Sequence, residues 1–186
     1  MSRSGKTDRA EDVLEQATEA APELPQTWFS LFSHQVANGR RKMAERTLEK
    51  AAGTLGNPDR HLLAAQGNEM LGRLDDAERE YREAVKANPD DLSPARGLAS
   101  FLIRRGRLNP AREELRRIID AKADDAAAKG TKFWARRTLA QLTADGGSYR
   151  ALEQALAIVD QNVGSDGKLG PEDVLVQVAL LAGRPE

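Results

Sequence analysis

Two short segments carry residue types that bind phosphate or metal ions, but neither has the full spacing that this chemistry needs. Gly5-Lys6-Thr7 matches the end of a phosphate-binding loop. Such a loop also requires a glycine five residues before its second glycine and a preceding strand, and the sequence supplies neither. Asn162, Gly164 and Asp173 hold the first, third and twelfth places of a calcium loop, where Asp, an oxygen ligand and Glu are expected. We therefore predict a repeat turn at Gly5 and a plain surface loop from Asn162.

The other reactive side chains form no catalytic or metal-binding arrangement. His34 and His61 are the two histidines, and neither has a carboxylate or a second histidine at the spacing of a metal site. The chain has no cysteine, which excludes disulfides and thiolate chemistry. Ser30, Ser33 and Ser100 lie on predicted helices without a nucleophile elbow. The sequence therefore predicts no catalytic residue, no metal and no cofactor.

Composition excludes further classes of function. The 186 residues include 28 Lys plus Arg and 29 Asp plus Glu, with a formal net charge of -1. This balance argues against a general binder of nucleic acid or membrane surfaces. No segment has the apolar length of a transmembrane helix, and the N-terminus has no apolar signal region. The default prediction for location is the cytoplasm.

The helices that must position the polar and reactive side chains are indicated by a periodic pattern of glycine, alanine and large residues. Four glycines recur at intervals of 33 or 34 residues, each with an alanine five residues later and a large side chain nine residues later. A period of this length with this punctuation indicates stacked helical hairpins. The four sets are Gly5, Ala10 and Leu14; Gly39, Ala44 and Leu48; Gly72, Ala77 and Tyr81; and Gly106, Ala111 and Leu115.

The pattern resembles the tetratricopeptide repeat, and the clearest copy runs from Pro58 to Asp91. This copy has a glycine turn, then the alanine, aromatic, alanine and proline of the family at Gly72, Ala77, Tyr81, Ala84 and Pro89. It departs from the family at His61, which replaces the usual tryptophan. The resemblance implies an all-α fold, a right-handed superhelix (solenoid) of stacked antiparallel helix hairpins.

In this register residues 1–186 form one elongated helical array. We predict repeats at 25–57, 58–91 and 92–125, a divergent hairpin at 126–161, a loop at 162–170, and partial repeats at 1–24 and 171–183. In the divergent hairpin, Ala126–Gly130 is predicted as a connection and Lys132–Thr143 as a helix. The partial repeats at the two ends predict either a slice of a longer protein or a homo-oligomer that forms through its terminal helices.

The resemblance also implies a partner-binding groove, because the first helices of such repeats build a concave wall at their second, fifth, ninth and thirteenth positions. Its N-terminal part is apolar and its C-terminal part basic, which suits a ligand with an apolar segment followed by acidic residues. The alternative is that the arginines only keep the surface soluble. The wall positions are Gln26, Phe29, Ser33 and Ala37; Asp59, Leu62, Gln66 and Met70; Ser93, Arg96, Ser100 and Arg104; and, in the divergent hairpin, Arg136, Arg137 and Gln141.

Nine of these residues are our candidates for partner binding: Phe29, Ser33, Leu62, Gln66, Met70, Arg96, Ser100, Arg104 and Arg137. The carboxylate clamp of one family subtype is not expected, because its asparagine places hold Ser33 and Leu63 and the first two first helices lack lysine.

The resulting hypothesis is a non-catalytic scaffold for protein–protein interaction that holds a peptide or partner segment in the groove. The alternative is a regulatory or substrate-recruiting segment of a larger enzyme, such as a kinase, peptidase or glycosyltransferase. A third hypothesis places RNA along the strip from Arg96 to Arg137.

Overall fold

The computed structural model describes residues 3–164 and 166–183, and these contain ten α-helices and no strand. Met1, Ser2, Ser165 and the residues from Arg184 onward, which belong to the predicted terminal and loop segments, lie outside the described residues. The helices are α1 (Arg3–Ala20), α2 (Pro25–Ala37), α3 (Arg41–Thr54), α4 (Asp59–Met70), α5 (Leu74–Ala87), α6 (Leu92–Arg104), α7 (Leu108–Asp120), α8 (Ala126–Ala144), α9 (Tyr149–Asp160) and α10 (Pro171–Ala182).

The chain divides into two compact units, Met1–Pro89 and Asp90–Glu186. In the first unit, α2 packs against α3 and α4 against α5, with α1 beside α2. In the second unit, α6 packs against α7 and α8 against α9, with α10 on α8 and α9. Each pair is joined by a short turn, as in an αα-hairpin. The all-α helical repeat fold that the sequence predicted is thus present in both units.

Glycines with left-handed backbone end the first helix of each pair. Gly39, Gly72, Gly106 and Gly147 have φ of 72°, 77°, 70° and 68°, a region that glycine enters without the steric cost of a Cβ. At Gly39, the N–H of the glycine donates to the Val36 carbonyl at 3.0 Å and the next N–H donates to the Gln35 carbonyl at 2.8 Å. This pair of bonds is the Schellman motif, which satisfies the last carbonyls of the helix.

The predicted turn at Gly5 is wrong, because Gly5 lies inside α1. Glycine permits a positive φ but does not impose one, and a helix interior tolerates it at a cost of about 1 kcal/mol.

The predicted start of the first helix in the divergent hairpin, Lys132, is also wrong, because α8 begins at Ala126. The segment that we predicted as a connection, Ala126–Gly130, forms the first turns of α8. The Asp125 carboxylate accepts a hydrogen bond from the Ala128 N–H at 2.9 Å and so caps the helix. Three successive alanines, the best helix formers, follow this cap and outweigh the cost of Gly130.

Small residues allow the two helices of a hairpin to cross closely. Ala44, Ala51, Ala77, Ala84 and Ala111 on the second helices are all 0% exposed, as expected for close ridge-into-groove packing. Trp28 of α2 packs against Ala51, while Phe32, one turn further along α2, packs against Ala44. The predicted packing role of the alanine register is therefore confirmed.

A second kind of close contact joins neighbouring hairpins of the first unit. Gly67 of α4 lies against the Leu48 side chain of α3, and a Cβ on Gly67 would stand only 2.5 Å from Leu48 Cδ1. Gly53, near the end of α3, has nothing within 4 Å of the same built atom. A Cβ at Gly67 therefore requires the Leu48 side chain to shift, whereas a Cβ at Gly53 meets open space.

We predict that Gly67→Ala lowers the free energy of unfolding by about 1 kcal/mol, because overpacking exceeds the gain in helix propensity. Gly53→Ala is the matched control and should be neutral or stabilising by up to about 1 kcal/mol. Urea denaturation measures both changes. In a Leu48→Ala background the cost of Gly67→Ala should disappear, and an unchanged cost there would contradict the contact.

Candidate functional site

The helix α2, which is the first helix of the first hairpin, presents an almost uncharged surface. Its sequence from Pro25 to Ala37 contains no Asp, Glu, Lys or Arg. Trp28, Leu31 and Phe32 bury one face of α2. Phe29 lies on another face and is 36% exposed, a large apolar side chain left at the surface where the register predicted a wall residue.

A cavity of about 390 Å³ lies between α2 and α4 beside Phe29. Its apolar lining comes from Phe29, Leu62 and Leu63 together with Pro25, and Asp59 is the single charged side chain among its lining residues. The amides of Gln26 and Gln66 add both hydrogen-bond donors and acceptors. The full lining is Pro25, Gln26, Phe29, Ser30, Asp59, Leu62, Leu63 and Gln66. The structure thus brings the predicted residues Phe29, Leu62 and Gln66 together.

Ser33 and Met70, the other two candidates of this unit, meet outside the cavity lining. The Ser33 hydroxyl donates to the Met70 Sδ at 3.9 Å, and Met70 is exposed. This contact links α2 to α4 next to the cavity and extends its apolar border by one side chain.

A buried polar chain fixes the orientation of α2. Gln35 is 2% exposed and Glu11 is 3% exposed. The Gln35 amide donates to Glu11 at 2.9 Å and accepts from the Thr47 hydroxyl at 2.7 Å, and Arg40 forms an ion pair with Glu11. Buried polar groups are costly when unpaired, so these hydrogen bonds hold α1, α2 and α3 in one relative rotation. That rotation determines the direction in which Phe29 points.

The first helices of the second unit are basic. α6 contains Arg96 and Arg104, and α8 contains two lysines and two arginines, while neither helix contains an acidic residue. Arg96 is exposed, and its guanidinium carbon lies 4.8 Å from the centroid of the Trp134 ring, within cation–π distance. Ser93 and Ser100 precede and follow Arg96 by about one helical turn.

Arg137, predicted as a groove residue, is held by carboxylates of its own chain. Its side chain is 17% exposed and lies 2.6 Å from Glu172 and 3.2 Å from Asp173. The Asn162 amide donates to the same Asp173 oxygen at 2.6 Å and to the Phe133 carbonyl at 3.2 Å. Arg137 therefore anchors α10 on α8, and the carboxylates of Glu172 and Asp173 compensate its charge.

Asn162 and Asp173, the ends of the calcium-like loop, are side chains of this anchor. Asn162 is 1% exposed and Asp173 is 2% exposed. Among the described residues, no group of three or more His, Asp or Glu side chains is placed to hold a metal ion. The loop instead closes a polar connection between α8, α9 and α10.

Trp134 is the surface residue that the sequence analysis missed. We placed the wall of the divergent hairpin at Arg136, Arg137 and Gln141. The register of the other repeats puts wall positions thirteen, ten and six residues before the turn glycine, and Gly147 is such a glycine here. Counting back from Gly147 gives Trp134 in place of Arg136, which instead donates to Asn162 at 3.2 Å.

Two further titratable groups, His61 and Glu83, interact with side chains of α5, the second helix of the α4–α5 hairpin. His61 Nδ1 lies 2.8 Å from the Glu80 carboxylate, so it pairs α4 with α5 and serves packing. On the outer surface of α5, the hydrogen bond from the Lys86 ammonium lowers the pKa of Glu83. Neither group lines the cavity between α2 and α4.

The comparisons with known proteins agree with this geometry. Residues 70–132 match the family model of the tetratricopeptide repeat. The fold is similar to that of YrrB, a TPR protein with an unusual peptide-binding site, at 18% identity and a TM-score of 0.53 over 96% of this chain and 84% of YrrB. It is also similar to TTC0263, a thermophilic TPR protein of Thermus thermophilus, at 18% identity and a TM-score of 0.56 over 96% of this chain and 90% of that one.

No curated protein sequence gives a significant match. The family model over residues 70–132 and the two structures confirm the predicted resemblance to the tetratricopeptide repeat, and the chain has an all-α helical repeat fold. No helix in the described part of the chain is both long and apolar enough to cross a membrane.

We predict that Asp173→Ala releases α10 from α8. Removing one member of a buried, hydrogen-bonded ion pair costs about 3 kcal/mol, so hydrogen exchange in α10 should accelerate while α2 to α5 keep their protection. The matched control is Glu172→Gln, because Glu172 also pairs with Arg137 but its side chain is 75% exposed. Exchange in α10 that is equal in both variants would contradict the anchor.

Proposed function

We propose that this chain is a non-catalytic scaffold for protein–protein interaction and that its first-helix surfaces hold a segment of a partner. The cavity between α2 and α4 carries the proposal. It is a concave site with an apolar lining and a few polar groups, which is the usual make-up of a ligand-binding site. YrrB, one of the similar structures, is described as having a peptide-binding site, which is consistent with such a use of the fold.

The lining predicts the chemistry of the bound side chain. Phe29, Leu62 and Leu63 would contact an aliphatic or aromatic group and remove it from water. The Gln26 and Gln66 amides can donate to and accept from the backbone of an extended segment. Among the described residues that line this cavity there is no cation. We therefore assign to the first unit an apolar side chain of the partner segment rather than an acidic one.

Two further predictions, an acidic segment in the partner and a homo-oligomer through the terminal helices, concern the second unit. Arg96, Ser100 and Arg104 lie on the acid-free α6, which supports an acidic segment in the partner. Val174, Leu175, Val178 and Leu181 are exposed on α10, and homo-oligomerisation through terminal helices stays a prediction on that ground. A cytoplasmic location likewise stays a prediction from the composition.

A displayed library of random short peptides, selected on the full chain, tests the assignment. We expect selected peptides to share a large apolar residue. Phe29→Ala should weaken their binding by more than about tenfold, because truncating a central apolar anchor typically costs about 2 kcal/mol or more. Fluorescence polarisation with a labelled selected peptide measures the change.

Met43→Ala is the matched control, since Met43 is 39% exposed against 36% for Phe29 but lies on the second helix α3. It should bind as the wild type does, and circular dichroism should show both variants folded. Selected peptides that bind Phe29→Ala and the wild type equally would overturn the assignment of the cavity.

A further inference from the structure

The basic surface of the second unit has a specific organisation around one stacked cation. Arg96 projects from α6 onto the ring of Trp134 in α8, so the contact joins the first helices of two successive hairpins. Stacking on an aromatic face restricts the guanidinium while its N–H groups stay available around the edge. A fixed planar fork of this kind matches both oxygens of a carboxylate.

Two other cations of these helices are paired within the chain. Arg137 is paired with Glu172 and Asp173, and Lys129 lies 3.4 Å from Asp124. No carboxylate of the described residues lies within ion-pair distance of Arg96. Asp91, the acidic residue next to α6, caps that helix by accepting from the Ser93 N–H at 2.9 Å.

We propose that Arg96, held in place by Trp134, is the anchor of a second recognition surface that binds a carboxylate side chain of an acidic protein segment. This rests on the proposed function, for it assigns the partner class of the same scaffold in its second unit. Arg96 contacts the carboxylate, and Trp134 is a positioning residue. Ser93 and Ser100 lie one turn to either side and offer hydroxyl donors to neighbouring carboxylates.

An acidic protein segment fits better than RNA, which also binds arginine and aromatic side chains. RNA binding depends on many phosphate contacts from a broad field of cations. Here α7, which packs on both α6 and α8, has three acidic residues that balance its three arginines, and the whole chain has a net charge of -1. One oriented arginine suits a carboxylate.

Nuclear magnetic resonance on the full chain, with a short peptide rich in glutamate as the probe, tests the proposal. The chain has two tryptophans, and Trp28 is buried in the first unit. We expect the probe to shift the indole N–H signal of Trp134 and to leave that of Trp28 unchanged. A shift of neither signal at concentrations where the probe binds would overturn the proposal.

Variants separate a positioned anchor from bulk charge. Arg96→Gln should weaken binding of the probe by about tenfold or more, whereas Arg105→Gln, which removes an equal charge from the exposed turn after α6, should change it by less than about twofold. Trp134→Leu keeps every charge and should still cost about threefold to tenfold. Equal losses for Arg96→Gln and Arg105→Gln would overturn the proposal.

Two further measurements isolate this surface. Phe29→Ala should bind the glutamate probe as the wild type does, so failure of the apolar cavity leaves this result unaffected. A short polyuridine RNA should bind more weakly than the probe, and RNA that shifts the Trp134 signal at lower concentration than the peptide would assign the surface to nucleic acid instead.

Discussion

Close crossing of the two helices in each hairpin is the constraint on which the rest of the structure depends. The fully buried alanines on the second helices let the backbones approach, and any larger side chain there would force them apart. Left-handed glycines at Gly39, Gly72 and Gly106 then reverse the chain within a few residues. Together these contacts set where each first helix lies, and so where its outward side chains stand relative to those of the next first helix in the same unit. The cavity and the stacked arginine are both products of that spacing.

Burial of apolar area holds helices together but leaves their rotation poorly defined, and buried polar contacts supply that definition in both units. In the first unit, Gln35 must satisfy Glu11 and Thr47 at once, which allows one orientation of α2. In the second unit, Asp173 accepts from both Asn162 and Arg137 and so orients α10. Low dielectric inside the protein makes each of these bonds strong when formed and costly when broken. A scaffold that displays side chains at fixed positions needs this kind of rigidity.

The two units use one helix arrangement to build surfaces of different chemistry. Between α2 and α4, the fifth position of one first helix and the second position of the next are Phe29 and Asp59, which border an apolar cavity. The same two positions on α6 and α8 are Arg96 and Trp134, which stack. A repeat fold permits this divergence because its packing positions and its outward positions are separate sets of residues. Exchange of outward residues therefore changes what is bound without disturbing the core.

The sequence by itself determined most of the hairpins and their turns, because these depend on local chemistry that repeats with a fixed period. Gly72, Ala77 and Tyr81 mark a turn and a close crossing at that spacing, whereas Gly5, at the same spacing before its alanine, lies inside α1. Tertiary structure decided the features that join residues far apart along the chain. Arg137 was predicted to face a partner, yet it meets Asp173, which the sequence places 36 residues later. The Trp134 ring meets Arg96 because α6 lies beside α8, and the Leu48 side chain occupies the space that a Cβ on Gly67 would take. Periodicity fixes which face of a helix points outward, but which charges and rings meet on that face depends on packing between helices that no local pattern encodes.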